Sequence, residues 1–186
     1  NELSILQQYN KQKLVPFGEF LPFENLFNKI GLKKITEGHG SFKKGNDKKN
    51  IIIDQLNILP LICYEVIFTK FVQDASYDTN LIVNISEDGW FGSSIGPKQH
   101  FAHSIFRSIE SGKYIIRSAN NGISAIINPI GIIEKKVEFG TTGYVDFKES
   151  KILKPTLYMN YGDKIFFILI LLYIFLIFSF NRLKHE

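Results

Sequence analysis

The chain has 186 residues, enough for one domain with its own core and too few for two large ones. Apolar residues make up 45% and charged residues 22%, with a mean hydropathy of zero, which excludes a disordered chain. One cysteine excludes an internal disulfide framework and a Cys-rich zinc site, and a net charge of +4 is too mild to point to nucleic acid as a partner.

Residues 1–13 are polar. LVPFGEFLPF follows, and its two prolines and one glycine predict an ordered loop. Residues 36–50 read as an exposed, turn-rich connection, and Lys43 to Lys49 as a solvated stretch. Short β-branched runs at 51–53 and 58–62 predict a hairpin. Glu65 to Ala75 predicts a helix. LIVNIS, residues 81–86, reads as a strand covered on both faces. A glycine-rich loop then runs to about Gly96. From Gln99 to Gly112 the apolar spacing predicts a second helix, which Gly112 ends. Residues 114–119 and 124–129 predict strands around the Asn120-Asn121-Gly122 turn. Residues 131–139 and 142–147 predict a later hairpin. Strands alternating with two helices give an α/β (α+β) class with sheets covered by helices.

The apolar residues concentrate near the C-terminus. Ile165 to Asn181 carries no charge. At 1.5 Å per residue it reaches roughly 25 Å, near the lower limit for a bilayer core about 30 Å thick. The expectation is a transmembrane helix over 164–182, a body over 1–160 and a short tail over 183–186. Arg182 and Lys184 place the tail in the cytoplasm and the body on the opposite side, the periplasm of a bacterium. The only methionine is Met159, so the chain is expected to be the later part of a longer protein.

Cys63 closes the apolar run ILPLI and opens the first expected helix. A nucleophile at a strand-to-helix turn has its side chain at the sheet edge, near helix N–H groups that favour a thiolate. A buried, inert cysteine is the competing reading. His100 and His103 have the i, i+3 spacing of metal ligands, but no third ligand is evident.

YNKQKLVPFGEFLP, LICYE, NISEDGWFGSSIGPKQH, RSIESGKYIIRSANNG and Tyr161-Gly162-Asp163 occur in this order. Together they resemble the apolipoprotein N-acyltransferases, bacterial membrane members of the nitrilase (carbon–nitrogen hydrolase) superfamily. The resemblance runs from Tyr9 to the C-terminus. It implies an α-β-β-α sandwich, incomplete at its N-terminus, with a Glu-Lys-Cys triad. It makes Cys63 the nucleophile and Lys11 the oxyanion-stabilising lysine. Glu19 and Glu65 take supporting roles, and Tyr64, Trp90 and Phe91 bind substrate. The base glutamate lies upstream of the lysine motif; Glu2 sits too close to Lys11 to be that base. Two departures stand out: Glu87-Asp88-Gly89 precedes Trp90 where the family has NDAWFG, and Lys13 stands where it often has histidine.

The implied reaction is transfer of a phospholipid acyl group to the amino terminus of a lipoprotein through a cysteine thioester. It needs no metal or organic cofactor. Its partners are a phospholipid donor, an apolipoprotein acceptor and the bilayer of the bacterial inner membrane. A nitrilase-type amidase and a non-catalytic remnant remain as alternatives.

Overall fold

The computed structural model describes residues 4–23, 42–46, 50–73, 78–148 and 153–183. Six strands form one mixed sheet in sequential order: β1 (Ile51–Ile53), β2 (Leu56–Ile62), β3 (Leu81–Glu87), β4 (Tyr114–Asn120), β5 (Ser124–Ile127) and β6 (Ile133–Val137). The expected first hairpin forms, with Ile51 opposite Ile58. β2, β3 and β4 run parallel. Each parallel step therefore needs a crossover, and helical segments supply both: a 3-10 turn (Cys63–Ile67) with α1 (Thr69–Gln73), then α2 (Gly96–Ser111). β4, β5 and β6 are antiparallel, and the Asn-Asn-Gly turn joins the first two as expected.

The sheet is apolar on both faces, as period-2 alternation with two buried faces requires. Leu59, Leu61, Ile82, Ile115 and Ile127 point to one face, where Val66, Phe71, Val72, Phe101 and Met159 close the main core. Met159 comes from α3 (Leu157–Tyr161), whose first turn is capped by Thr156. Leu81, Tyr114 and Ile126 point to the other face, against Val145 and Phe147.

Three expectations change. The helix expected over 65–75 is two pieces, because Phe68 takes extended backbone (φ −91°, ψ 110°) between the 3-10 turn and α1. Val66, Ile67 and Phe68 are poor helix formers, and Val66 is fully buried where that break leaves it. Residues 74 and 75 of that helix lie outside the described residues. The helix expected from Gln99 begins at Gly96, with Pro97 in its first turn where a missing N–H costs nothing. Its end is as expected: Gly112 adopts φ 66°, and its N–H bonds Ser108 O at 2.8 Å. The second half of the late hairpin, residues 142–147, forms no strand. Burial of Val145 and Phe147 holds that segment. Most of the turn-rich connection over 36–50 also lies outside the described residues.

α4 (Lys164–Leu183) carries the apolar tail and starts after a break at Gly162. Its side chains from Phe166 to Phe178 are exposed. Among the described residues, however, no helix is long and apolar enough to cross a membrane, so the span expected over 164–182 is not found there. The uncharged run reaches roughly 25 Å, at the lower end of what spans a bilayer core about 30 Å thick.

Candidate active site

β2 and β3 end side by side at the carboxyl edge of the sheet, with Ile62 opposite Ile85. Ligands of parallel sheets bind beyond that edge. Cys63 is the first residue past it and has φ 52°. The left-handed region costs a non-glycine residue about 1 kcal/mol, and here it turns the chain sharply from strand into 3-10 helix. The Cys63 Sγ lies 3.9 Å from the carbonyl oxygen of Glu87, at the end of β3.

Cys63 lines a cavity of about 400 Å³. Val15, Pro16, Tyr64, Ile67, Trp90 and Phe91 give it an apolar wall, and Glu19, Glu87, His100 and His103 bring polar atoms. The expected substrate-binding residues Tyr64, Trp90 and Phe91 thus share one cavity with the expected nucleophile. Trp90 is 61% exposed at its rim. The Phe91 ring packs on His100 with centroids 5.6 Å apart. The Glu87 carboxyl is held below the usual range by hydrogen bonds from the Asn120 side chain at 2.5 Å and the Gly89 N–H at 2.7 Å.

Lys11 and Glu19 form an ion pair at 2.6 Å, with both side chains mostly buried. The second Glu19 oxygen accepts the Val15 N–H at 2.9 Å, so the PFGE turn folds around its own glutamate. Glu19 lines both the Cys63 cavity and a neighbouring one of about 780 Å³ that holds Lys11, Lys43 and Lys44. Ile62, one residue before the cysteine, also lines that second cavity.

Glu65 lines neither cavity. It is fully buried, and its carboxylate is saturated. One oxygen accepts the N–H groups of Gln12 at 2.6 Å and Lys13 at 3.0 Å. The other accepts the Ile62 N–H at 2.8 Å and the Tyr9 hydroxyl at 3.0 Å. Burial, then the Glu65 charge, pushes the Tyr9 phenol far above its ordinary value. The Tyr9 hydroxyl therefore stays a donor. Glu65 fastens the lysine-bearing segment to the cysteine turn.

Behind Cys63 lies a buried polar network that the motif analysis did not assign. His100 Nε2 donates to the Cys63 carbonyl oxygen at 3.2 Å, and Nδ1 meets Asp88 Oδ1 at 2.8 Å. Nδ1 also lies 3.3 Å from Arg117 Nη2, so the ring sits between the Asp88 carboxylate and the guanidinium. Asp88 Oδ2 pairs with Arg117 Nη2 at 2.7 Å. Arg117 Nη1 bonds Asn84 Oδ1, and the Asn84 amide donates to Leu61 O at 3.0 Å. Burial acts to raise the Asp88 carboxyl, but hydrogen bonds from His100 and Ser86 and the Arg117 charge outweigh it and hold it low. Gly122 belongs to this network. A Cβ there would sit 2.3 Å from Asp88 Oδ2, so the glycine serves close approach as well as the turn. The sequence signal was a polar residue inside each of two apolar strands, Asn84 and Arg117, which the register pairs directly.

His100 and His103 have different surroundings in the structure. His100 is committed to Asp88 and the Cys63 carbonyl. Among the described residues no three His, Cys, Asp or Glu side chains are grouped to hold a metal ion.

A cysteine elbow at the carboxyl edge of a parallel sheet, beside a lysine–glutamate pair, invites comparison with known proteins. The profile of the carbon-nitrogen hydrolase family matches residues 1–150. The chain belongs to the carbon–nitrogen hydrolase family. Within it, the chain is 40% identical over 161 residues to the apolipoprotein N-acyltransferase of Rhodopseudomonas palustris, covering 86% of this chain and 30% of that one. It is 42% identical over 160 residues to that of Rickettsia typhi (85% and 32%) and 41% identical over 181 residues to that of Rickettsia bellii (96% and 35%). The chain thus spans about a third of the length of these relatives. Among solved carbon–nitrogen hydrolase folds, the NitN amidase of Nesterenkonia sp. AN1 superposes with a TM-score of 0.50 at 17% identity, covering 72% of this chain and 48% of that one. That likeness is one of fold.

Proposed function

We propose that this chain transfers an acyl group from a phospholipid to the N-terminal amine of a diacylglyceryl-modified lipoprotein, with Cys63 as nucleophile. The observation that carries the reading is Cys63 on a positive-φ turn, opening into an apolar cavity of about 400 Å³. The relatives named for that activity support it.

In the first half-reaction a carboxylate base takes the Cys63 thiol proton, and Sγ attacks the ester carbon of the phospholipid. By the family resemblance that base is a glutamate upstream of the lysine motif. The Sγ–C bond forms and the ester C–O bond breaks. The proton passes to the departing lysophospholipid oxygen. Lys11 and backbone N–H groups at the turn stabilise the tetrahedral oxyanion. In the second half-reaction the lipoprotein amine attacks the thioester. The C–N bond forms, the C–S bond breaks, and the amine proton returns to Sγ through the same base. Glu19 holds Lys11, and Glu65 holds the Lys11 segment. Tyr64, Trp90 and Phe91 receive the acyl chain.

α4 is the proposed membrane anchor, with residues 1–160 facing the periplasm from the inner membrane and residues 183–186 facing the cytoplasm. Its exposed apolar side chains support this. A short apolar stretch is accommodated by local bilayer thinning and by snorkelling of flanking basic residues. An anchor keeps the cavity near two lipid substrates that stay in the bilayer.

The test is product analysis. The full-length protein is incubated with phospholipid and a diacylglyceryl-cysteine peptide. A triacylated peptide is expected, absent with Cys63→Ala. Hydrolysis of a small amide with no peptide acylation would assign the amidase activity instead.

A further inference from the structure

His103 is left unexplained by the proposed reaction. It lies one turn after His100 on α2 and lines the Cys63 cavity. Its Nδ1 is buried without a hydrogen-bond partner. Nε2 makes no bond to the described residues either, and it is the ring nitrogen with access to the cavity. An orphaned lone pair is better tolerated in the interior than an orphaned N–H, so the proton sits on Nε2. Burial, then the Arg107 and His100 charges, hold the imidazole below its ordinary value and keep it neutral. The cavity wall thus presents a neutral imidazole N–H beside Ile67, Trp90 and Phe91.

We infer that His103 Nε2–H donates a hydrogen bond to an acceptor oxygen in the glycerophosphate part of the donor lipid, and so selects phospholipid over simpler esters. The inference rests on the acyl-transfer reading. One helix turn is about 5.4 Å, and His100, one turn back, touches the Cys63 carbonyl. An ester carbon held at Cys63 Sγ keeps the neighbouring ester carbonyl and the phosphate beside the cavity of which His103 is a wall. An acyl chain in that position would bury the N–H unpaired, costing affinity. The chain therefore lies along Trp90 and Phe91, and the polar portion of the lipid lies at His103.

The test compares acyl donors in the full-length protein with His103→Leu, which removes the donor, and His103→Gln, which keeps one. The donors are a diacyl phospholipid, a 1-acyl lysophospholipid, a diacylglycerol and a p-nitrophenyl ester of the same chain. In His103→Leu the KM for diacyl phospholipid is expected to rise about five- to tenfold more than that for the p-nitrophenyl ester, with kcat moving by less than twofold. His103→Gln is expected to recover most of that difference. A penalty kept by the lysophospholipid assigns the phosphate oxygen; one kept by diacylglycerol assigns the neighbouring ester. Equal changes for all four donors, or no change, overturn the inference. His103→Phe, which keeps a ring in the wall, decides in the same way should His103→Leu not fold. If the wild-type protein acylates Cys63 from none of the donors, the acyl-transfer reading fails and takes this inference with it.

Discussion

The carboxylate of Glu65 accepts the backbone N–H of Gln12 at 2.6 Å. A residue two places after the cysteine thus fixes the neighbour of Lys11. Glu65→Ala leaves the N–H groups of Gln12, Lys13 and Ile62 and the Tyr9 hydroxyl without their acceptor. We expect a loss of about 3 kcal/mol or more, read as a lower denaturation midpoint, together with loss of acyl transfer. Glu65→Gln keeps the volume but turns a donor toward the Ile62 N–H and the Tyr9 hydroxyl, so it should fall between wild type and Glu65→Ala. A Glu65→Ala variant of wild-type stability would show that the carboxylate ties nothing together.

Lys11 has a different signature. Its side chain pairs with Glu19 at 2.6 Å with both groups mostly buried, so removing Lys11 leaves the Glu19 carboxylate without its counter-charge. Lys11→Ala should therefore lower acyl transfer by about 10²-fold or more and cost about 1–3 kcal/mol of stability. A fall in stability with acyl transfer intact would make Lys11 a structural partner of Glu19 only.

The Asp88 network gives the body a dependence on pH. The folded carboxyl is held below its ordinary value, so its contribution is present above the unfolded value of about 3.9 and is lost as pH falls through the folded one. His103 acts in the same sense at higher pH. Its folded value lies below the unfolded value of about 6.5 because of burial and the Arg107 and His100 charges. Stability therefore falls as pH drops below that point and the ring charges. Melting temperature against pH is expected to decline below about pH 6.5 and again below about pH 4. Asp88→Asn should be less stable by about 3–5 kcal/mol at neutral pH, because Arg117 is left buried without its counter-charge, and should lack the lower step. A variant whose profile matches wild type would exclude Asp88 from that step.

Gly122 tests the close approach. Gly122→Ala drives a Cβ against the Asp88 carboxylate. A cost of about 1–3 kcal/mol is expected, with reduced transfer, because Asp88 holds His100 against the Cys63 carbonyl. If Asn120-Asn121-Gly122 were turn chemistry only, alanine would cost less than about 1 kcal/mol and leave transfer unchanged.

Much of the fold was legible because its signals are local. The LIVNIS and YIIRSA runs gave β3 and β4, and the Asn-Asn-Gly turn gave the β4–β5 hairpin. Gly112 marked the end of α2. The break at Phe68 was not legible, since it depends on how Val66 packs and on bonds that Glu65 makes with residues more than fifty positions away. Residues 142–147 misled for a related reason: alternation predicts a strand, while burial of Val145 and Phe147 without a ladder gives the same pattern. The resemblance singled out Cys63, Lys11 and Glu19, and the structure brings Cys63 and Glu19 to one cavity and Lys11 to its neighbour. The Asp88–His100–Arg117 network was missed because its members are 12 to 29 residues apart and meet only through the strand register. Asn84 and Arg117, polar residues inside apolar strands, were its only local trace.

The central claim is a thioester on Cys63. Intact-mass analysis of the full-length protein after incubation with phospholipid, without any acceptor, tests it most directly. The account predicts one added acyl group that maps to Cys63, is released by neutral hydroxylamine, and disappears on addition of the diacylglyceryl-cysteine peptide. Acyl transfer to the peptide at an undiminished rate by Cys63→Ala would contradict it.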